Sequence, residues 1–279
     1  MSKLIDLHTH TTASDGSMSP RELVRHAGRN GLCAIAVTDH DTIDGLADAL
    51  DEGERAGIEV IPGLEIGVDF KPDMHILAYF SKKTYPAAEK VLFELKKNRK
   101  ARNPKIIKKL NEMGFDISMD EAEGEAKGGI LGRPHIAKVL LRKGYAKSME
   151  EAFDKYLSFG RPAYFKKDKL SPVEGIKEII QAGGVPVLAH PIHLDMSYNQ
   201  LDALLAILVP EGLRGIEAYY VDNTENDTSS FVKLAKKHGI IVTGGSDFHG
   251  SFKAGIEIGK GYGNLRIPYE LLTKLKEDM

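Results

Sequence analysis

Cysteine occurs once, at Cys33, and tryptophan not at all in this chain of 279 residues. A lone cysteine excludes a disulfide framework within the chain and fits a reducing compartment, so the cytoplasm is the expected location. No run approaches the roughly 18 consecutive apolar residues that a membrane helix needs. The stretch after Lys3 passes straight into a strand-like segment, without the regions of a signal peptide. Internal repeats and low-complexity stretches are lacking too. A net charge of −2 is too small for a general nucleic-acid coat protein. What remains is a globular composition, 42% hydrophobic and 28% charged, of a length for one or two domains, with a monomer as the default.

The charge is unevenly spread. Residues 96–169 hold 19 Lys+Arg against 10 Asp+Glu, whereas the remainder holds 19 against 30. An acidic body with a basic segment fits a metal-binding core facing an anion-binding lobe. Lysine-rich helices that are merely solvated give the same counts. That second reading also covers the cluster Lys96, Lys97, Arg99, Lys100, Arg102 and Lys105, whose alternative is a nucleic-acid backbone.

Short apolar runs suited to buried parallel strands occur at Leu4–Leu7, Cys33–Val37, Glu59–Ile61, His75–Tyr79, Val185–Ala189, Gly215–Tyr219 and Ile240–Thr243. Amphipathic helical segments separate most of them: one opened by Ser19-Pro20, then Asp44–Ala56, Pro172–Ala182, Gln200–Leu208, Glu225–His238 and one after Pro268. Gly31, Gly57, Gly183 and Gly239 follow helices, where a left-handed residue is expected. Seven alternating strands predict an α/β fold, a parallel sheet closed into a barrel. Residues 97–164 break the rhythm with helices alone, at Lys105–Met113, His135–Leu141 and Met149–Leu157. That stretch is too long for a loop. It reads as a helical subdomain inserted into a barrel made of residues 1–96 and 165–279.

The chemistry-bearing residues fall at strand ends. His8-Thr9-His10 follows the first strand, and residues two apart on extended chain point the same way, so both imidazoles can grip one ion. Asp15 follows in the loop. The second strand ends in Thr38-Asp39-His40-Asp41, the third in Gly63-Leu64-Glu65, and the fourth opens with Asp73-Met74-His75. The fifth ends in Ala189-His190-Pro191 and the seventh in Ser246-Asp247-Phe248-His249. The C-terminal rim of such barrels is where active sites are built. His8, His10, Asp15, His40, Glu65, His75, His190, Asp247 and His249 exceed the needs of one ion and can hold two or three. Nitrogen and oxygen donors without cysteine suit manganese, iron or zinc better than calcium. Such clusters generate hydroxide near neutral pH and stabilise charge on phosphoryl oxygens.

In these motifs the chain resembles the PHP (polymerase and histidinol phosphatase) family over almost its whole length. Gly132-Arg133-Pro134-His135-Ile136-Ala137 and Gly160-Arg161-Pro162-Ala163-Tyr164 resemble its nucleoside 3′,5′-bisphosphate phosphatase branch, some members of which are 5′→3′ exoribonucleases. The resemblance implies a distorted seven-stranded barrel with a trinuclear site, most simply manganese, and a metal-activated hydroxide in place of a protein nucleophile. It assigns His8, His10, Glu65 and Asp247 to a first ion, and Asp15, His40 and His249 to a second. A third would take Glu65 as bridge with His75 and His190. Many members carry histidine where Asp15 stands; the aspartate is typical of the branch. Arg133 and His135, and less directly Arg161, would contact a substrate phosphate on a nucleotide or short 5′-phosphorylated RNA.

Other polar residues read more plainly. Asp6, Asp39 and Asp41 are expected to orient ligands or cap helices rather than bind metal. His193 stands close enough to His190 to touch substrate, while His26 and His238 read as surface residues. Gly244-Gly245 is expected to let backbone approach the cluster, and Cys33 to be inert. Two other activities fit the sequence: histidinol phosphatase or another small phosphomonoesterase, and a non-catalytic domain of the kind attached to polymerases. The insert motifs weigh against the first, and the filled ligand positions against the second.

Overall fold

The computed structural model describes residues 3–126, 131–158, 160–165 and 169–279, the side chains of 94–101 excepted. Lys96, Lys97, Arg99 and Lys100 of the basic cluster lie outside the described side chains. The chain divides into two compact units, Met1–Leu92 with Leu170–Met279, and Phe93–Lys169.

The first unit is built on seven strands in sequential order: β1 (Leu4–Asp6), β2 (Leu32–Val37), β3 (Glu59–Val68), β4 (Met74–Tyr79), β5 (Val185–Leu188), β6 (Gly215–Tyr220) and β7 (Ile241–Gly245). Leu7 N–H donates to Gly244 O at 3.1 Å and Thr9 bridges Phe248 in parallel, so the first strand meets the last in a nearly closed barrel. The expected all-parallel sheet needs one correction. β4 runs antiparallel to both β3 and β5. The connection from β3 to β4 is too short for the crossover that parallel pairing requires, so the chain turns back as a hairpin. The reversal puts the beginning of β4 at the rim where the other strands end. His75, near the start of its strand, therefore joins side chains that lie at the ends of theirs.

Helices α1 (Pro20–Arg29) and α2 (Leu46–Ala56) precede the second unit. There α3 (Ala88–Glu112) enters from the barrel, followed by α4 (Met119–Ala126), α5 (Arg133–Arg142) and α6 (Met149–Ala152). α7 (Pro172–Gln181), α8 (Tyr198–Leu208), α9 (Glu225–His238) and α10 (Tyr269–Glu277) complete the barrel's cover. Ser19, Ser171, Ser197 and Thr224 close reciprocal capping boxes with Glu22, Glu174, Gln200 and Asp227. Each cap contributes about 1 kcal/mol by satisfying backbone donors with no partner inside the helix. α3 is longer than its predicted part, because Pro104 reads as a helix start but sits inside the helix. α4 escaped the sequence reading: eight residues with four acids and one Gly carry little apolar periodicity.

Buried Ile5, Leu7, Ile35, Val37, Leu77 and Val187 belong to the core of this unit with Tyr79, whose hydroxyl donates to Leu7 O at 2.8 Å. The second unit has a core of its own around Ile106, Leu110, Ile136, Val139, Leu140 and Leu157. No helix among the described residues is long and apolar enough to cross a membrane.

Candidate metal centre

The rim is set by close backbone packing. A Cβ on Gly245 would overlap His8, and one on Gly16 would overlap the carbonyl of His10. Glycine at these two positions lets β7 and the Asp15 loop press against the strand that carries both histidines. Thr9, between them, turns to the other side, its hydroxyl donating to Ala36 O at 2.6 Å. His190 and Asp247 hold φ of 25° and 53°, in the left-handed region that side chains seldom adopt. Such backbone persists only where surroundings over-determine it. Here the His190 N–H donates to Glu217 Oε2 at 2.8 Å, and the Asp247 carboxylate is fixed by Tyr220 and Lys253.

All nine sequence-predicted residues come together. Glu65 lies at the hub, buried. Its Oε2 faces His8 Nε2, His10 Nε2 and His40 Nδ1, each at 3.2 Å, while Oε1 faces His75 Nδ1 at 2.8 Å and His190 Nε2 at 3.0 Å. A carboxylate with its oxygens turned to separate imidazole sets has the layout of a bridging ligand. Asp247 Oδ1 stands 3.2 Å from His10 Nε2 and 3.6 Å from His8 Nε2. On the open side Asp15 lies 3.3 Å from His249 Nε2, 3.6 Å from His10 Nδ1 and 3.7 Å from His40 Nε2. Three overlapping groups have ligand atoms mutually within 4.8 Å: His10, Asp15, His40 and His249; His8, His10 and Glu65; His40, Glu65 and His75. His190 and Asp247 flank them.

The residues fit divalent cations. Both ring nitrogens of fully buried His10 lack a hydrogen-bond partner. Buried polar atoms are rarely left so, and a buried donor or acceptor without a partner costs about 1–3 kcal/mol. The His10 ring also lies 4.2 Å from that of His249 and 4.6 Å from that of His40, an arrangement that repels if the rings are protonated and is relieved if they are neutral with their ring nitrogens turned to cations. Burial would raise the Glu65 carboxyl, but the His8 and His40 charges, the close His10 ring and a hydrogen bond from His190 hold it well below the usual carboxylate range. It is therefore ionised, as a ligand must be.

Behind this cluster, sequence reasoning anticipated supporting roles for Asp6 and Asp39 but missed Glu217, Lys253 and Tyr220. Glu217, fully buried on β6, accepts from His8 Nδ1 at 3.0 Å and from the His190 backbone. It fixes the His8 tautomer so that Nε2 faces Glu65. A single acid in an otherwise apolar strand was the available signal. Lys253 Nζ at 2.6 Å and Tyr220 Oη at 2.9 Å both donate to Asp247 Oδ2, leaving Oδ1 to the histidines. Asp39 accepts from Thr11 N at 2.7 Å and Ser14 Oγ at 2.6 Å and so shapes the Asp15 loop. Asp6 accepts from Ser246 and Gly259 and ties β1 to the segment that carries Asp247. Glu217→Gln is expected to weaken metal retention or turnover by about 10- to 100-fold, the usual cost of losing an outer-layer partner. Metal content and phosphate release of the variant, measured together, check this.

The model of the PHP domain matches residues 6–182. The chain belongs to the PHP domain family. Among curated relatives, a 5′-3′ exoribonuclease of Haemophilus influenzae is 34% identical, covering 93% of this chain and 94% of that protein. A 3′,5′-nucleoside bisphosphate phosphatase of Chromobacterium violaceum is 31% identical over 91% and 90%. A phosphoribosyl 1,2-cyclic phosphate 1,2-diphosphodiesterase of Eggerthella lenta is 32% identical over 88% and 94%. A solved structure from Bifidobacterium adolescentis, classed as a metal-dependent phosphoesterase, superposes with a TM-score of 0.70 at 28% identity, covering 100% of this chain and 97% of that one. These proteins are hydrolases of phosphoester bonds, and this PHP protein is an enzyme of that kind.

In the metal-free PHP site, burial alone would lower the His10 imidazole, but the Asp247 and Glu65 carboxylates beside it raise it to about 9. Below that pH the ring holds a proton that an entering ion must expel. Apparent affinity for Mn2+ should therefore rise as pH climbs toward 9, with proton uptake by the buffer at each addition. A titration in two buffers of different ionisation enthalpy reads this, and a pH-independent affinity contradicts it.

The second unit places Arg133, His135 and Arg161 by its own packing. Arg133 opens α5. Its guanidinium lies 5.3 Å from the Tyr164 ring and 5.9 Å from Phe153, and Nη1 donates to Leu157 O at 2.8 Å. His135 Nδ1 accepts from Gly132 N–H at 3.0 Å, so the neutral ring carries its proton on Nε2 and presents a donor. Arg161 is exposed and belongs to the turn that sets Tyr164, whose N–H donates to Arg161 O at 3.0 Å. His193 pairs with Asp222 at 3.2 Å beside His190. Two expected surface histidines are half-buried instead: His26 stacks 5.6 Å from Phe248, and His238 meets Asp202 at 2.7 Å. A helix position next to polar residues does not disclose which neighbour the fold brings over it.

Proposed function

We propose that this PHP protein hydrolyses the 3′-phosphate of nucleoside 3′,5′-bisphosphates and, in the 5′→3′ direction, short 5′-phosphorylated RNA. The convergence of nine imidazole and carboxylate side chains on the Glu65 hub carries the reading. Asp15, Glu65 and Asp247 supply three negative charges, so two or three divalent ions leave a net positive site for a phosphate. Manganese is proposed, with iron or zinc as alternatives for this donor set. Ions held by these residues would lower the pKa of a bound water and stabilise charge at phosphorus.

The protein's own part is positional. Glu217 orients His8, Tyr220 and Lys253 orient Asp247, and buried His8, His10 and Glu65 form a dry floor beneath the partly exposed His40, His75 and Asp15. The inserted helical unit, taken as residues 97–164, is proposed to bind substrate. In it Arg133 and His135 form an anion cradle: a planar fork beside two aromatic rings and an Nε2–H donor. Relatives named for 3′,5′-nucleoside bisphosphates and for 5′-3′ RNA cleavage support bisphosphates over histidinol phosphate.

The test is side-by-side turnover by the Mn2+-loaded protein. Adenosine 3′,5′-bisphosphate and a 5′-phosphorylated RNA trinucleotide are expected to exceed histidinol phosphate and phosphoribosyl 1,2-cyclic phosphate in kcat/KM. Preference for either of the last two overturns the proposal.

A further inference from the structure

Phe252 is the most exposed large apolar side chain among the described residues, at 71%. A single exposed phenylalanine is ordinary on a soluble protein. This one is held in place next to the cluster. It follows His249 by three residues, so its Cα lies within about 11 Å of the His249 Cα even on fully extended chain. The turn that carries it is pinned from both sides to Ser17, two residues beyond Asp15. Ser17 N–H donates to His249 O at 3.0 Å, and Ser251 N–H donates to Ser17 Oγ at 2.8 Å. Gly250 sits between at φ 66°, where a Cβ would overlap Ser17. On the other side Lys253 reaches Asp247 at 2.6 Å. An apolar ring is thus displayed to solvent on backbone tied to two candidate ligands, with a cation as its neighbour. Tyr262, 60% exposed and alongside Gly255, is a second ring of the same loop.

Exposed aromatic rings combined with cationic groups are how proteins hold single-stranded nucleic acid and nucleotides without reading sequence. A ring carried on backbone already held in place loses little main-chain freedom on binding, which favours a ligand with a flat face. We propose that Phe252 is a stacking platform for the base of a nucleotide whose phosphate lies at the cluster. This rests on the nucleotide reading given above.

The experiment compares adenosine 3′,5′-bisphosphate with an otherwise identical bisphosphate that lacks the base, using Mn2+-loaded protein and its Phe252→Ala, Phe252→Leu and Phe252→Trp variants. Base stacking on a protein ring is worth roughly tenfold or more in affinity. The preference for the base-bearing substrate, read as a ratio of kcat/KM and carried by KM, should fall about tenfold in the Ala and Leu variants and persist in the Trp variant. Metal content equal to that of the unmodified protein shows that the variants fold. An unchanged preference in Phe252→Ala, or a Trp variant as poor as the Ala variant, overturns the proposal. If the unmodified protein releases phosphate from neither bisphosphate yet hydrolyses histidinol phosphate, the nucleotide reading fails and the platform with it.

Discussion

Glu65→Gln is expected to lower phosphate release on the order of 10³-fold and to strip most of the bound metal. The reason is its place at the hub: five imidazole nitrogens lie 2.8–3.2 Å from its two oxygens. Glutamine keeps the shape but removes a negative charge and turns one end into a donor that faces cations. A second effect adds to the first. His8, fully buried, is raised well above the usual imidazole range: burial opposes this, but the Glu217, Glu65 and Asp247 charges outweigh it. Removing Glu65 takes away one of the charges that compensate that ring. Metal content by elemental analysis and kcat on one substrate check the prediction. Retained metal with lost activity would show Glu65 acting in the reaction and not in holding ions.

Arg133→Ala should act selectively. Phosphate release from adenosine 3′,5′-bisphosphate is expected to fall on the order of 10²-fold, as when one preorganised charge-assisted contact is removed. A phosphomonoester with no second phosphate should lose far less. Metal content should not change, because Arg133 belongs to the second unit and makes its contacts there, with Leu157, Phe153 and Tyr164. Arg133→Lys should recover little, since an ammonium lacks the planar fork that fits both a phosphate and the site beside two rings. Equal losses on both substrates would instead place Arg133 in the packing of the insert.

The ligand set was legible in the sequence because barrel strands are short apolar runs with sharp ends, and polar residues just past those ends stand out. His8, His40, His190 and Asp247 all declare themselves in that way. Glu217 did not, because it lies within its strand and its role appears only when β6 is curled beside His8 and the His190 backbone. Tyr220 was hidden for a related reason, since it reaches Asp247 from the neighbouring strand, and Lys253 because only the turn after His249 brings it back onto Asp247. The reversed β4 was also out of reach, since apolar periodicity gives a strand's presence and not its direction. The short β3–β4 connection was the one clue. α3 shows the opposite failure, a local breaker signal at Pro104 overruled by the helix around it.

The central claim is that these nine side chains share cations. Anaerobic purification followed by elemental analysis measures it most directly. The expected result is two to three divalent ions per chain, lost to a chelator together with phosphate release and restored with it when Mn2+ is returned. Phosphate release from protein stripped of every ion would contradict the claim.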